Sequence, residues 1–260
     1  MIESDLRSAV GEGRLDVYYM PQVSLQSGEL IGVEALARLR DPDRGLVPAA
    51  EFIPVAEESD LVVSLGGMVL EDAVKHAIKW REAAADDLRV TVNVSARQII
   101  GPELPGMVAD ALLRFDIPPS ALCLEMTETA VMEDPEGALE ALRDLKDLGV
   151  SLAADDFGLG TSTFGLMRRV PDQDVLKIGP TLVRKVEDGE EERELVSVIV
   201  AMAHALGMIA IAESVETEGQ MLTLRGLGCD AAQGFYIGKP LPAREVEDYL
   251  PDGRTAVAPR

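Results

Sequence analysis

Cysteine, histidine and aromatic residues are scarce in this chain of 260 residues: two Cys, two His, one Trp, and 4% aromatics in all. Cys123 and Cys229 have no neighbour at CxxC spacing, so they read as reduced, packed thiols rather than a disulfide or a zinc knuckle. His76 and His204 fall within helical patterns and belong to no HxxxH or HExxH motif, which removes zinc held by nitrogen or sulfur. No apolar run approaches the roughly 18 residues needed to span a bilayer. The opening, Met1 to Arg7, is polar and lacks a signal segment, so a cytoplasmic protein is expected and secretion is not. Positive charge is also short. With 24 Lys and Arg against 46 Asp and Glu, the net charge is −22, which excludes DNA, RNA and anionic lipid as partners. A small phosphate ester is still bindable where metal ions and a few cations reverse the sign locally.

Hydrophobic residues are plentiful, at 47%. Strand-like apolar runs lie near residues 15–20, 30–37, 88–94, 121–126, 150–154, 173–178, 208–212 and 233–237, with helical spacing over 62–83, 104–115, 135–148, 190–206 and 216–227. That alternation predicts an α/β protein: a TIM-like (β/α)8 barrel formed from eight strands. The first connection is different. About nine residues join strands one and two, too few for a parallel crossover, so the first strand is expected to be antiparallel. The stretch Asp41 to Ser59, interrupted by Pro42, Gly45, Pro48 and Pro54, reads as a loop with one or two helical turns. Residues 187–194 read as a solvated acidic loop entering a helix. One barrel domain is expected over 1–252, with a mobile tail over 253–260.

Short acidic or amide-bearing motifs close these apolar runs: Glu34-Ala-Leu, Asn93-Val-Ser, Glu125-Met-Thr-Glu128, Asp155-Asp156-Phe-Gly, Glu213-Ser-Val-Glu216 and Gln233-Gly. Another run ends on Lys177. A carboxylate at the end of a buried strand costs several kcal/mol in desolvation unless a cation or donors satisfy it. In a parallel barrel the strand ends share one face, so these groups are placed to converge on divalent metal. Hard oxygen ligands favour Mg²⁺ or Mn²⁺. Asp155 and Asp156 could bridge two ions, a setting for attack of activated water on a phosphodiester, with Lys177 orienting the water or offsetting charge and Arg38 gripping a phosphate. A plainer reading exists for each residue alone: a surface or capping carboxylate, a turn begun by the Asp pair, a structural partner for Arg38 or Lys177.

The motifs resemble those of the EAL domain, a bacterial phosphodiesterase domain specific for cyclic di-GMP. The likeness runs from Leu6 to Leu250 through Glu34-Ala-Leu-Ala-Arg38, Phe52-Ile-Pro-Val-Ala-Glu57, Asn93-Val-Ser95, Glu125-Met-Thr-Glu128, Asp155-Asp-Phe-Gly158, Leu176-Lys-Ile178, Ala212-Glu-Ser-Val-Glu216 and Gln233-Gly-Phe235. The resemblance implies two Mg²⁺ or Mn²⁺ ions, inhibition by Ca²⁺, and hydrolysis of cyclic di-GMP to linear pGpG. It implies Glu34, Asn93, Glu125 and Asp155 as ligands of one metal and Asp155 with Asp156 for the other. Lys177 would position the water, with Glu213 and Gln233 completing the network and Glu128 bracing the loop after the Asp pair. Arg38, Leu36, Met20 and Glu216 would face the substrate. A homodimer formed around Thr163 to Arg169, and a sensor or GGDEF domain in a longer parent protein, are implied as well.

The sequence departs from the family pattern at Met20, Leu39, the loop from Leu159 to Thr163, Gly179 and Ser214. All expected ligands remain. Changes just outside a ligand shell commonly cost roughly 10–100-fold, so a competent but slow enzyme is expected. A silent cyclic di-GMP receptor acting through a protein partner is the alternative, and a barrel hydrolase of another phosphodiester is a remote third.

Overall fold

The computed structural model describes residues 3–83, 87–157 and 173–250, the side chains of 156 and 157 excepted. Ten strands form one sheet: β1 (Leu15–Ser24), β2 (Leu30–Asp41), β3 (Gly45–Pro48), β4 (Arg89–Asn93), β5 (Leu122–Thr127), β6 (Ser151–Phe157), β7 (Val175–Ile178), β8 (Ile209–Ala212), β9 (Ala231–Ala232) and β10 (Leu241–Pro242). Eight of them close into a barrel in the order β1-β2-β4-β5-β6-β7-β8-β9 and back to β1. Every neighbouring pair from β2 round to β9 is parallel. β1 runs against both of its neighbours, as the short first connection requires. β3 extends β2 as a hairpin and β10 pairs with the outer part of β1.

The helices follow the strands as the spacing predicts. The longest, α3 (Leu61–Ala83; α1 is Glu3–Gly11 and α2 Ala49–Glu57), buries Leu61, Val62, Leu65, Val69, Leu70, Ala73, Val74, Ala77 and Trp80, one stripe at three- and four-residue steps. It anchors β1: the Tyr19 hydroxyl donates to Asp72 Oδ1 at 2.6 Å, and the Tyr19 ring meets Trp80 edge-on, 4.8 Å between centroids. Next come α4 (Ala96–Ile100), α5 (Leu104–Phe115), α6 (Glu128–Glu133) and α7 (Pro135–Asp147). Ser95 with Gln98 forms a capping box before α4, while Thr127 caps α6 and Asp134 caps α7. Beyond the Asp pair lie α8 (Pro180–Val183), α9 (Glu190–Ala205), α10 (Glu218–Gly226) and α11 (Ala243–Val246). Three glutamates open α9, in accord with the solvated acidic entry expected there.

Three expectations need correction. The stretch Asp41 to Ser59 is no loop: it holds β3 and the nine-residue α2, where Pro48 precedes the helix and Pro54 is carried within it while Phe52 and Ala56 are buried. The last barrel strand is Ala231–Ala232 rather than 233–237, because Gly234 turns the chain and Val215 holds the next residues through Val215 N–H to Gln233 O and Tyr236 N–H to Val215 O. The nine-residue helix α1 was not foreseen in the polar start; Leu6 and Ala9 bury its inner side.

At the far end of the barrel one device occurs twice. Asp174, just before β7, accepts Leu152 N–H and Lys146 Nζ on one oxygen, each at 2.9 Å. Asp230, just before β9, accepts Ala210 N–H at 2.7 Å and bonds His204 Nε2 at 2.9 Å. Each ties a strand start to the neighbouring strand and to the helix before that neighbour, at the barrel end associated with stability rather than chemistry. Asp174→Ala leaves the Leu152 N–H without its acceptor, so denaturant unfolding should show a loss of about 1–3 kcal/mol.

Candidate active site

Period-two alternation sorts each barrel strand into an apolar floor and a charged ceiling. Cys123, Ala153, Val175, Ile211 and Ala231 pack together inside the barrel. Two residues further along these strands come Glu125, Asp155, Lys177, Glu213 and Gln233, so the same inward direction now carries polar groups toward the mouth. Beneath them the interior narrows to a void of about 10 Å³, lined in part by Thr91, Glu125 and Lys177, with room for no more than one water.

Lys177 lies at the centre, 1% exposed. Its ammonium contacts Glu34 Oε2 at 3.1 Å and one oxygen each of Glu125 and Glu213 at 2.5 Å. Carboxylate oxygens of these three glutamates all lie within 4.8 Å of one another. Glu34 is the best satisfied: Asn93 Nδ2 donates to Oε1 at 2.8 Å and Gln233 Nε2 to Oε2 at 2.6 Å. Gln233 also donates to Glu213 at 3.0 Å, and its own carbonyl accepts from Gln22 Nε2 at 2.8 Å.

Charge and burial set the protonation tendencies. Burial would lower Lys177, but Glu125, Glu34 and Glu213 hold it well above its ordinary value. Burial likewise pushes up Glu34, yet Lys177 and the donors Gln233 and Asn93 bring it below the usual carboxylate range. Glu125 is raised well above that range by burial, against Lys177 and with Glu34, Asp155 and Glu213 adding to the rise. Burial pushes Glu213 up to about 7, with Lys177 opposing and Asp155 and Glu34 reinforcing.

One ammonium does not balance three buried carboxylates with Asp155 beside them. Each carboxylate pair at such separations repels by roughly 3 kcal/mol at an effective dielectric near 20. Glu125 Oε2 is buried with no hydrogen-bond donor among the described residues. A hard divalent cation supplies the missing positive charge and a partner for that oxygen, and the donor set is all carboxylate and amide oxygen. The residues present therefore fit such an ion.

The other sequence-predicted residues fall around this centre. Asp155 is half-buried, pairs in register with Thr127 one rung above Glu125, and acts electrostatically on Glu125, Lys177 and Glu213. The backbone of Asp156 is in β6; its side chain lies outside the described residues, as do the loop after it, the segment Thr163 to Arg169 and the tail from Gly253. Glu128 is half-buried at the start of α6. Glu34, Leu36 and Arg38 alternate along the inner side of β2, with Leu36 and Arg38 half-exposed above the mouth. Met20 stands opposite Glu34 and is 8% exposed. Glu216 is exposed before α10, its N–H bonded to Gln220 Oε1 at 2.8 Å. Ser214, where the family pattern has glycine, takes a left-handed φ of 54°, at a cost of about 1–2 kcal/mol. Gly234 is obligatory, because a Cβ there would meet Val215 N at 2.1 Å. Sequence reading missed Gln22. Its signal was the two-residue step from Met20 along a strand whose other inward positions face the site.

A closed α/β barrel with a lysine-centred carboxylate cluster at its mouth is a frame whose donor set could hold a metal ion. The chain belongs to the EAL domain family, whose model matches residues 3–240. It is 38% identical over 242 residues to the bifunctional diguanylate cyclase/cyclic di-GMP phosphodiesterase MucR of Pseudomonas aeruginosa, covering 93% of this chain and 35% of that protein. Among solved structures it is similar to the PaMucR phosphodiesterase in its c-di-GMP complex, at 37% identity and a TM-score of 0.88, covering 94% of this chain and 98% of that one. It is also similar to the EAL enzyme Bd1971 in its cAMP- and cyclic-di-GMP-bound form, at 28% identity and a TM-score of 0.91, covering 96% and 68%. The chain spans about a third of the length of the curated relatives it matches.

The charge balance is testable without substrate. Lys177→Met removes the cation and should cost about 3–5 kcal/mol in urea unfolding with chelator present, much of it restored by Mn²⁺. Glu125→Gln removes one carboxylate instead: unfolding with chelator should be no easier than in the unmodified chain, and the stabilisation by Mn²⁺ should disappear.

Proposed function

We propose that this chain hydrolyses cyclic di-GMP to linear pGpG in a reaction supported by two Mg²⁺ or Mn²⁺ ions. The observation that carries the reading is the over-charged cluster of Glu34, Glu125 and Glu213 with the orphaned Glu125 Oε2, lying under the open wall of Leu36 and Arg38. Glu34, Asn93, Glu125 and Asp155, with Glu213 close by, would hold one ion and Asp155 with Asp156 the other. When bound, such ions lower the pKa of water and screen the phosphoryl oxygens.

The chain's own residues do the rest. Arg38 offers a planar donor fork to a phosphate, and Leu36 with Met20 supplies apolar surface beside it. Lys177 keeps its charge in the buried cluster, where its three N–H groups meet Glu34, Glu125 and Glu213; with those carboxylates turned to bound ions, one N–H would be released to the attacking water. The water oxygen bonds to phosphorus as the ester bond to the leaving ribose oxygen breaks; one proton of the water ends on that ribose oxygen and the other stays with the new phosphate monoester. Gln233 holds Glu34 and Glu213 in place from the side. Glu128 braces the loop after the Asp pair, and Glu216 flanks that loop or the base.

The domain is read as one barrel over 1–252, acting as a homodimer within a cytoplasmic parent protein that carries a sensor or GGDEF domain. Among the described residues no helix is long and apolar enough to cross a membrane. Turnover is expected to be slow, because the family's loop pattern changes at Leu159 to Thr163.

Incubation with cyclic di-GMP and Mn²⁺ followed by chromatography should yield pGpG. Ca²⁺ in place of Mn²⁺ should permit binding with little product, and Lys177→Ala or Glu34→Ala should abolish turnover. Tight binding with no product in Mn²⁺ would instead make the chain a receptor. Sedimentation at high protein concentration with ligand should give a dimer; a persistent monomer would end that part of the reading.

A further inference from the structure

Most buried polar residues near the mouth are candidate ligands or direct partners of them; Gln22 is neither. Gln22 is 3% exposed in the interior of β1, bonds to Gln233 rather than to a glutamate, and belongs to none of the motifs that mark the site. Burying a carboxamide costs free energy unless its bonds are made, and this one donates to Gln233 Oε1 at 2.8 Å.

The consequence lies in Gln233. A carboxamide can turn end for end, exchanging its acceptor and donor at little cost in shape. Glu34 Oε2 and Glu213 Oε1 are carboxylate oxygens, which only accept, and both take their bonds from Gln233 Nε2. Turned around, Gln233 would present its carbonyl oxygen to those two carboxylates, an arrangement of three acceptors with no proton between them. Gln22 meets the opposite end with a donor; turning both amides would keep that one bond but lose the two to the carboxylates, so the observed pair is the orientation that satisfies every partner.

Room for this contact is left by a glycine. Gly32 lies opposite Gln22 in the β1–β2 register, and a Cβ on it would come within 2.9 Å of both Gln22 Oε1 and Arg89 O. The reversed strand, a missing side chain and a buried amide thus combine to reach a glutamine more than 200 positions away in sequence.

We propose that Gln22 is a positioning residue for the metal-binding carboxylates, acting through Gln233 by fixing the direction of its amide. The inference rests on the metal reading of the site, and its test separates the two. Metal-free protein would be titrated with Mn²⁺ and free Mn²⁺ followed by its electron paramagnetic resonance signal, so that no turnover is needed. Gln22→Met keeps length and fills the space without a donor. Its Mn²⁺ dissociation constant should rise about 10-fold, in the range that outer-shell changes produce. In a Gln233→Met background the same change should have no further effect, because the group it orients is gone.

Equal Mn²⁺ affinity for Gln22→Met and the unmodified chain, or losses that simply add in the double variant, would overturn the proposal. A protein that binds no Mn²⁺ in any form would overturn the metal reading itself, whereas Mn²⁺ binding without pGpG formation would remove only the enzymatic reading. Should Gln22→Met not fold, nuclear magnetic resonance of the unmodified chain serves. The Gln22 side-chain NH₂ signals should exchange slowly and move on addition of Mg²⁺; rapid exchange with no movement would reject the role.

Discussion

The contact between one buried ammonium and three glutamates governs the inside of this barrel. Lys177 is the third residue of a four-residue strand and has almost no exposure, a location that normally strips a lysine of its proton. It keeps that proton because Glu34, Glu125 and Glu213 converge from three different strands or strand ends. The converse also holds: without the ammonium those carboxylates would not tolerate one another. Each element needs the others in register, which is why the polar layer sits on an apolar floor of Cys123, Ala153, Val175, Ile211 and Ala231 that does not depend on charge.

This arrangement leaves a deliberate imbalance. Among the described residues negative charge exceeds positive in the cluster, and Glu125 retains an oxygen without a donor. A fully paired cluster would be more stable and would have no reason to attract a cation. Instability of this kind, retained inside a robust frame, is the usual condition of a site prepared for a ligand. The frame is robust for independent reasons: the capped helices, the packing of Tyr19 on Trp80, and the Asp174 and Asp230 ties at the opposite end of the barrel.

Much of this was legible in the sequence because the physics is local or periodic. Helical spacing marked α3, α5, α7 and α9 closely, and the short gap before β2, expected at about nine residues and five in the structure, required the reversal of β1. The polar residues of the site were legible because they follow apolar runs, where a carboxylate has no ordinary reason to be. What escaped depends on tertiary contact. Residues 233–237 looked like a strand by composition, yet Gly234 and Val215 make them a turn. The helix α2 was hidden by Pro54, which the packing of Phe52 and Ala56 overrides. Gln22 carried no motif at all. Its meaning lies in a partner at Gln233 that only barrel closure supplies.

The pairing of β1 with β2 slips between Gln22 and Val23, where Gln22 faces Gly32 but Val23 faces Leu30. Such a bulge works as an expansion joint. Above it the strand alignment is fixed by what Met20 and Gln22 must reach; below it the chain has slack, so the turn over residues 25–29 can change in length or composition without moving the mouth. Variation in that turn, on the side of the barrel away from the chemistry, is therefore mechanically isolated from it.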